Sequence, residues 1–284
     1  MKISLQDALN EGAARLRSAG VTEARMEATS LMMHALGVDR AFVIAHPEHE
    51  LTGEQSETFR DLVRRRAARE PLQHITGSQE FFKLKFEVTP DVLSPRPETE
   101  LIVEAALEFL KREQPVSILD VGTGSGCIVI SLLHELKRAH GVATDISARA
   151  LLVAERNARS HNVNDRLTLI QTDSLSTLNS ASGFSLIVSN PPYIPAGDIE
   201  KLQPEVREHE PLTALVSGAD GLDHIRRLLR ETPRLLHPAG YFIFEIGFGQ
   251  MDSVAALIDP ARWRLAEVRA DLQGIPRALI LQRI

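Results

Sequence analysis

The stretch Ser117-Ile118-Leu119-Asp120-Val121-Gly122-Thr123-Gly124-Ser125-Gly126-Cys127 constrains this chain more than any other. Ile118, Leu119 and Val121 read as a strand, three glycines at alternate positions as a tight turn, and the apolar run from Cys127 as a helix. A strand that turns through glycine into a helix opens an α/β unit, in which the helix packs back on the strand and the next strand lies parallel. The rest of the chain from Val116 keeps that alternation. Short apolar runs at Ser117–Val121, Val142–Ile146, Leu167–Gln171, Leu186–Ser189 and Tyr241–Ile246 are separated by helical patterns such as Ala148–Ser160 and Leu222–Leu236. Trp263–Val268 and Ala278–Leu281 are joined only by a short Gly274-Ile275-Pro276 connection, which predicts an antiparallel pair at the end of the sheet. The expected fold is α/β, with a mixed, mostly parallel sheet.

Upstream the periodicity is helical. Ser4 with Asp7, followed by Leu5, Leu9 and Leu16, predicts a first helix stopped at Gly20. Thr22 is expected to cap a second, which ends at Gly37. Thr52 and Gln55 have the spacing of a capping box for a third, running to about Glu70 before Pro71. Then the period changes: Phe82, Leu84, Phe86 and Val88 alternate with Lys83, Lys85 and Glu87, the pattern of a half-buried strand in a hairpin. Pro97, with Glu98 and Glu100 behind it, predicts a further helix start. The expected organisation is a small helical domain over residues 1–74, a hairpin linker over 75–90 and the α/β domain over 91–284.

Composition narrows the class of function. No run approaches the roughly 18 apolar residues of a membrane helix, and MKISLQDALNEG lacks the apolar core of a signal peptide. Cys127 is the only cysteine, so neither an intrachain disulfide nor a cysteine metal cluster is expected, and the setting expected is a reducing cytoplasm. Lys+Arg of 32 against Asp+Glu of 38 gives a net charge of -6, which argues against direct nucleic-acid binding.

The glycine turn needs a ligand that its backbone can approach, and Asp145 closes the next strand about 20 residues on, where a carboxylate suits a ribose diol. Asp145 as a cap of the following helix is the competing reading, a task for which Ser147 is equally suited. A dinucleotide fingerprint would place its third small residue at position 127, which is Cys127. The spacing Gly122, Gly124, Gly126 resembles instead the class I, Rossmann-like S-adenosylmethionine (SAM) methyltransferases. That resemblance implies SAM as cofactor, held by Gly122, Thr123, Gly124, Ser125, Gly126 and Asp145, with Asp173 and Ser174 after the third strand beside the adenine. A nucleophile elbow centred on Ser125 would need glycine at 123 and 127, where Thr123 and Cys127 stand.

The fourth strand ends in Asn190-Pro191-Pro192-Tyr193. Two prolines remove two backbone donors and leave carbonyls free to accept, Asn190 adds a side-chain carbonyl oxygen, and Tyr193 offers a flat face. Two acceptors can hold both N–H bonds of a planar –NH2 group, which is what an amide or base nitrogen needs when it is to meet a methyl donor. These four are the expected catalytic residues, with Asn190 also touching the cofactor. The tetrapeptide resembles that of amino-group methyltransferases in general, those acting on adenine-N6, guanine-N2 or protein glutamine-N5.

Three further segments narrow the resemblance. Pro95-Arg96-Pro97-Glu98-Thr99-Glu100, the stretch Pro71–Gly77 with Glu80-Phe81-Phe82, and Glu210-Pro211 followed by Gly218–Asp223 and Glu245-Ile246-Gly247 are similar to the PrmC/HemK family of protein-(glutamine-N5) methyltransferases. Ser94, His209 and Gln273–Arg277 depart from its usual form. The resemblance covers essentially the whole chain. It implies methyl transfer from SAM to the glutamine of the Gly-Gly-Gln loop of class I peptide chain release factors, modulating translation termination. The alternative, an amino-group methyltransferase acting on a nucleic-acid base, is disfavoured by the acidic balance and 5% aromatic content. A non-enzymatic adaptor is disfavoured by the intact glycine turn, Asp145 and Asn190–Tyr193.

Weaker signals are bland. His46 and His49 have no second pair to complete a metal site, so no metal is expected. Arg64, Arg65, Arg66 and Arg69 read as a solvated face, or alternatively as a docking surface for an acidic partner or ribosome-linked RNA. Cys127 is expected to pack and not to react.

Overall fold

The computed structural model describes residues 3–110, 114–173, 175–178 and 183–284. The chain divides into two compact units, one of residues 1–77 with 203–209, the other of 78–202 with 210–284.

The smaller unit is helical. Strand β1 (Ile3–Ser4) pairs with β2 (Glu50–Leu51), and between and after them run α1 (Leu5–Ser18), α2 (Ala24–Leu36), α3 (Arg40–Ala45), α4 (Gly53–Ala67) and α5 (Leu72–Thr76). Ser4 caps α1 by accepting from the Asp7 N–H, and Thr52 with Gln55 forms the reciprocal box at α4. Leu5, Leu9, Leu16, Leu31, Met32 and Phe59 meet in one core. Gly12 lets α1 lie against Phe59: an added Cβ would stand 2.7 Å from its ring. Thr22 does not cap α2; the residue at that position is Glu23, without a side-chain cap bond, and the helix starts one residue beyond Thr22's reach. Helix α4 ends at Ala67, short of Glu70, because Arg69 adopts φ +69 and reverses the chain. Its guanidinium then donates to the carbonyls of Gly20 and Ala19.

The larger unit begins with hairpin strands β3 (Ser78–Phe81) and β4 (Leu84–Glu87). Phe82 falls in the two-residue turn with Lys83, not in a strand; both have positive φ, 49 and 63, the handedness that matches strand twist in a tight hairpin. Phe81 and Phe86 pack edge to face in the core of this unit. The sequence Pro97–Thr99 forms a single 3-10 turn that leads into α6 (Glu100–Phe109). Then follow β5 (Val116–Val121), α7 (Cys127–Glu135), β6 (Ala139–Asp145), α8 (Ala148–Ser160), β7 (Leu167–Gln171) and β8 (Phe184–Ser189). Helix α9 (Pro204–His209) belongs to the helical unit. The larger unit resumes with α10 (Asp223–Glu231), β9 (Leu236–Glu245), α11 (Met251–Ala255), β10 (Trp263–Ala270) and β11 (Pro276–Arg283). Helix α10 is shorter than the Leu222–Leu236 pattern because Pro233 opens a 3-10 turn at Thr232–Arg234.

Through α9 the helical unit acquires Glu205, which takes Arg66 at 2.8 Å and Arg69 at 2.7 Å; Arg66 also pairs with Glu27. The Arg66 side chain is only 7% exposed, so it is an internal tie and not a solvated or docking charge. Arg64 pairs with Asp61 and Arg65 with Glu70.

The seven-stranded sheet has the order β10-β11-β9-β8-β5-β6-β7. Strands β7, β6, β5, β8 and β9 are parallel, and β11 and β10 add antiparallel at the edge. Both faces are covered, which is why the strands read as apolar runs and not as alternation. Ile118, Leu186, Val188, Ile243 and Ile280 point into one core with α6 and α7. Their neighbours Leu119, Ile187, Phe242, Phe244, Leu279 and Leu281 enter the other with α10, Val254 and Trp263. From β5 the chain first builds outward through β6 to β7, then returns to the other side of β5 as β8. Crevices at such reversals, beyond the carboxyl ends of the strands, are where open α/β sheets take ligands. No helix among the described residues is long and apolar enough to cross a membrane.

Candidate active site

Every expected site segment falls at that one end of the sheet. Strand β5 ends in the glycine turn, β6 in Asp145, β7 before Asp173 and β8 in Asn190–Tyr193; β9 ends there too, in Glu245. The first four border a cavity of about 320 Å³ whose walls include Gly122, Thr123, Gly124, Ser125, Asp145, Asp173, Asn190, Pro191 and Pro192. Gly126 and Tyr193 are not among its lining residues, and Ser174 lies outside the described residues.

The three glycines divide the work. All have positive φ, 72, 54 and 82 in turn. A Cβ on Gly122 or Gly124 would meet nothing within 4 Å, so a side chain there would extend into open space. A Cβ on Gly126 would stand 2.6 Å from Ile130 Cδ1 and 3.3 Å from Ala154, so that glycine allows α7 to approach α8. The first two leave the outer side of the turn open and the third permits packing.

Asp145 Oδ2 accepts the Gly124 N–H at 2.9 Å and Oδ1 accepts the Ser147 N–H at 2.9 Å. Ser147, not Asp145, caps α8, accepting from the Ala150 N–H. Each Asp145 oxygen keeps lone pairs for further donors, the chemistry a ribose diol requires. Below the turn, the fully buried Asp120 accepts from Thr123 Oγ1 at 2.8 Å. Burial pushes its carboxyl up to about 7. Burial also pushes the Cys127 thiol up to about 12, so it is not a nucleophile. Asp173 pairs with Arg227 of α10 at 3.1 Å. His224, one turn earlier on that helix, hydrogen-bonds Ser217 through Nδ1 at 2.9 Å and is held below its ordinary pKa by burial and Arg227.

The segment from Pro95 to Glu100 has a structural task at three positions. Arg96 pairs with Glu210, which is buried and raised by burial. Thr99 Oγ1 donates to Glu245 Oε2 at 2.6 Å and accepts Asn190 Nδ2 at 3.0 Å. Glu100 accepts the Phe82 N–H at 2.8 Å. Ser94, Pro95, Arg96 and Thr99 also line the cavity.

Beyond Tyr193 the chain pairs with the stretch that follows Glu210. The Ile194 N–H donates to Leu215 O, and Ser217 and Gly218 continue the ladder with Ile194 and Ala196. Gln250 Nε2 donates to the Tyr193 carbonyl at 2.9 Å, and Gln250 Oε1 accepts the Gly247 N–H. Tyr193 is mostly buried with its phenol on Glu245, and burial raises its pKa first, Glu245 second. Its ring therefore serves the network behind the turn more directly than a stacking face in the cavity.

Thr99, Glu245, Asp120, Arg227 and Gln250 were not among the expected site residues. The signal available for two of them was an acid closing an otherwise apolar run, Ile-Leu-Asp120 and Phe-Ile-Phe-Glu245. Among the described residues no group of His, Cys, Asp and Glu is placed to hold a metal ion.

Residues 7–77 match the family described as PrmC N-terminal domain, and residues 98–203 that described as methyltransferase small domain. Two solved structures share the fold at low identity. They are a methyltransferase from Pyrococcus furiosus (TM-score 0.52, 18% identity, 71% of this chain and 90% of that one) and a ribosomal protein methylase from Lactobacillus delbrueckii (TM-score 0.51, 22%, 72% and 89%). Curated relatives are far closer in sequence. Release factor glutamine methyltransferases from Nitratidesulfovibrio vulgaris (40% identical, 99% of this chain and 95% of that protein), Caulobacter vibrioides (42%, 92% and 90%) and Moorella thermoacetica (42%, 99% and 99%) align with it along almost their whole length. With the glycine turn, the acid after β6 and Asn190–Tyr193 gathered at one sheet end, the chain belongs to the release factor glutamine methyltransferase family of SAM-dependent enzymes.

Proposed function

We propose that the protein methylates the side-chain amide nitrogen of the glutamine in the Gly-Gly-Gln loop of class I peptide chain release factors, in the cytoplasm, and so adjusts translation termination. The observation that carries this reading is the Asn190 amide at the wall of the switch-point cavity, its nitrogen held by Thr99 and its oxygen left for an incoming N–H. SAM fits the cavity on the ground already given: two glycines beyond which a side chain would meet open space, and a carboxylate with acceptor capacity at the end of β6. When bound, SAM supplies the methyl group as an electrophile.

The chain's own residues do the rest. Asp145 takes the ribose hydroxyls, and Asp173 the adenine amino group, with Arg227 as the competing partner it must share. Asn190 Oδ1 and the Pro191 carbonyl accept the two N–H bonds of the substrate amide. An amide nitrogen is a weak nucleophile because its lone pair is delocalised; acceptors on its hydrogens return density to it. The nitrogen becomes acidic only as its new bond to carbon forms, so no strong base is needed beforehand, and its proton is released to water once the methyl group has transferred. Holding the reactants in near-attack geometry supplies on the order of 7–11 kcal/mol. The helical unit, residues 1–77 with 203–209, serves to grip the folded partner.

Incubation with methyl-labelled SAM and a mixture of release factor, ribosomal RNA and DNA tests the reading by mass spectrometry. Label is expected on the release-factor glutamine. Replacing that glutamine by glutamate removes both N–H donors, and a buried site built for hydrogen bonds rejects such an analogue by about 10⁴ or more. Asparagine keeps the amide but falls one methylene short, so little label is expected. A short Gly-Gly-Gln peptide should react far more slowly than the whole factor; equal rates would remove the gripping role of the helical unit. Label on a nucleic-acid base with the release factor untouched would overturn the substrate.

A further inference from the structure

A hydroxyl group has one proton, and Thr99 directs its own to Glu245. Thr99 Oγ1 lies 2.6 Å from Glu245 Oε2 and 3.0 Å from Asn190 Nδ2. Thr99 and Glu245 are each about 2% exposed, so bulk water does not intervene. Burial raises the Glu245 pKa to about 7; its ionised form offers no proton and accepts one, so the threonine then has only lone pairs for Asn190, and only the nitrogen end of the Asn190 amide can face it. The two ends of a carboxamide are nearly identical in shape, so packing alone does not choose between them. With a threonine hydroxyl free to rotate, either end would be satisfied and the oxygen would face the substrate only part of the time.

We infer that Thr99 and Glu245 are positioning residues that set which end of the Asn190 amide faces the substrate, and through it the preference for a carboxamide over a carboxylate. The inference rests on the reading of Asn190 as acceptor for the substrate amide. The chain of control runs from the last residue of β9, through the 3-10 turn at Pro97–Thr99, to the residue that follows β8. It gives Thr99 and Glu245 one shared purpose, although they stand 146 residues apart. Tyr193 bears on the same carboxylate, and Glu98 and Arg277 are the further charges near it.

Three variants of the full chain test this: Thr99→Val, which keeps the shape and removes the hydroxyl; Thr99→Ser, which restores it; and Glu245→Gln, which gives Thr99 a partner able to donate. Methyl transfer to the release factor is measured with SAM affinity by calorimetry and with inhibition by a release factor carrying glutamate at the target position. Thr99→Val and Glu245→Gln are expected to lower kcat by about tenfold or more. SAM affinity should stay within about twofold, and Thr99→Ser should recover most of the rate. Both slow variants should also gain inhibition by the glutamate-bearing factor, because a reversed Asn190 presents N–H groups to a carboxylate. A folded Thr99→Val with near-normal kcat, beside an inactive Asn190→Ala, overturns the inference alone. A fully active Asn190→Ala overturns the reading it rests on and the inference with it. If Thr99→Val does not fold, Glu245→Gln decides: normal kcat and no inhibition by the glutamate-bearing factor sink the proposal.

Discussion

The backbone N–H of Gly124 donates to Asp145 Oδ2 at 2.9 Å, so the turn after β5 and the acid after β6 form one element. The carboxylate proposed for the ribose thus also holds the glycine turn in place. Neither part can shift without the other.

Replacing Asp145 by Ala should therefore cost more than one ligand contact. Hydrogen bonds to a charged group contribute roughly 1.5–3 kcal/mol each, and the loop loses its anchor at Gly124 as well. SAM affinity by calorimetry should fall at least tenfold. Unchanged affinity in a folded variant would refute the ribose assignment.

Asn190→Ala should separate binding from chemistry. Its amide is tied behind to Thr99 and is proposed to hold the substrate and not the cofactor, so SAM affinity should stay near wild type while most methyl transfer is lost. Near-normal turnover would mean the Asn190–Tyr193 turn is structural only.

Arg66→Met should destabilise the helical unit. Removing one partner of a buried ion pair costs about 3–5 kcal/mol because the other charge stays behind. Here Glu27 would lose its guanidinium, while Glu205 would keep Arg69. Amide hydrogen exchange in α4 should rise sharply. Arg64→Ala, at an exposed pair, should leave stability nearly unchanged. Equal effects of the two would show that Arg66 is not an internal tie.

Asp120 makes a pH prediction. Burial raises its folded pKa from the ordinary 3.8 to about 7, so between those values the folded chain holds a proton that the unfolded chain has released. Its contribution to stability is full below about pH 4, declines as pH rises and is gone above about 7. The melting temperature of Asp120→Asn relative to wild type should climb across that window and level off beyond it. A variant that loses ground as pH rises would show that the Thr123 hydrogen bond outweighs desolvation of the carboxylate.

What could be read from the chain beforehand was local or periodic. The capping box of Thr52 and Gln55, the span Ala148–Ser160, the strand Leu167–Gln171 and the antiparallel close at Trp263 and Ala278 each follow from neighbours in sequence. The glycine turn, Asp145 and Asn190–Tyr193 were readable because backbone chemistry dictates those residue types. Thr99 was hidden inside a segment whose prolines and acids already made sense as a helix start. Its partners, Asn190 and Glu245, are brought to it by sheet order, which no period in the sequence encodes. Arg66 looked like its exposed neighbour Arg64 for the same reason: its burial depends on Glu205, far along the chain.

That dependence has a consequence for how the protein is made. Arg66 and Glu205 are 139 residues apart, and all strands from β3 to β8 are translated between them. The helical segment emerges from the ribosome first, with Arg66 able to reach Glu27 but not its second anion. It is completed only when Pro204–His209 arrives. Folding of the first 77 residues is thus finished by a piece of chain that follows the glycine turn and the Asn190 turn in order of synthesis. A chain broken off before residue 203 has a helical unit that lacks both ion pairs to Glu205, whatever its sheet has achieved.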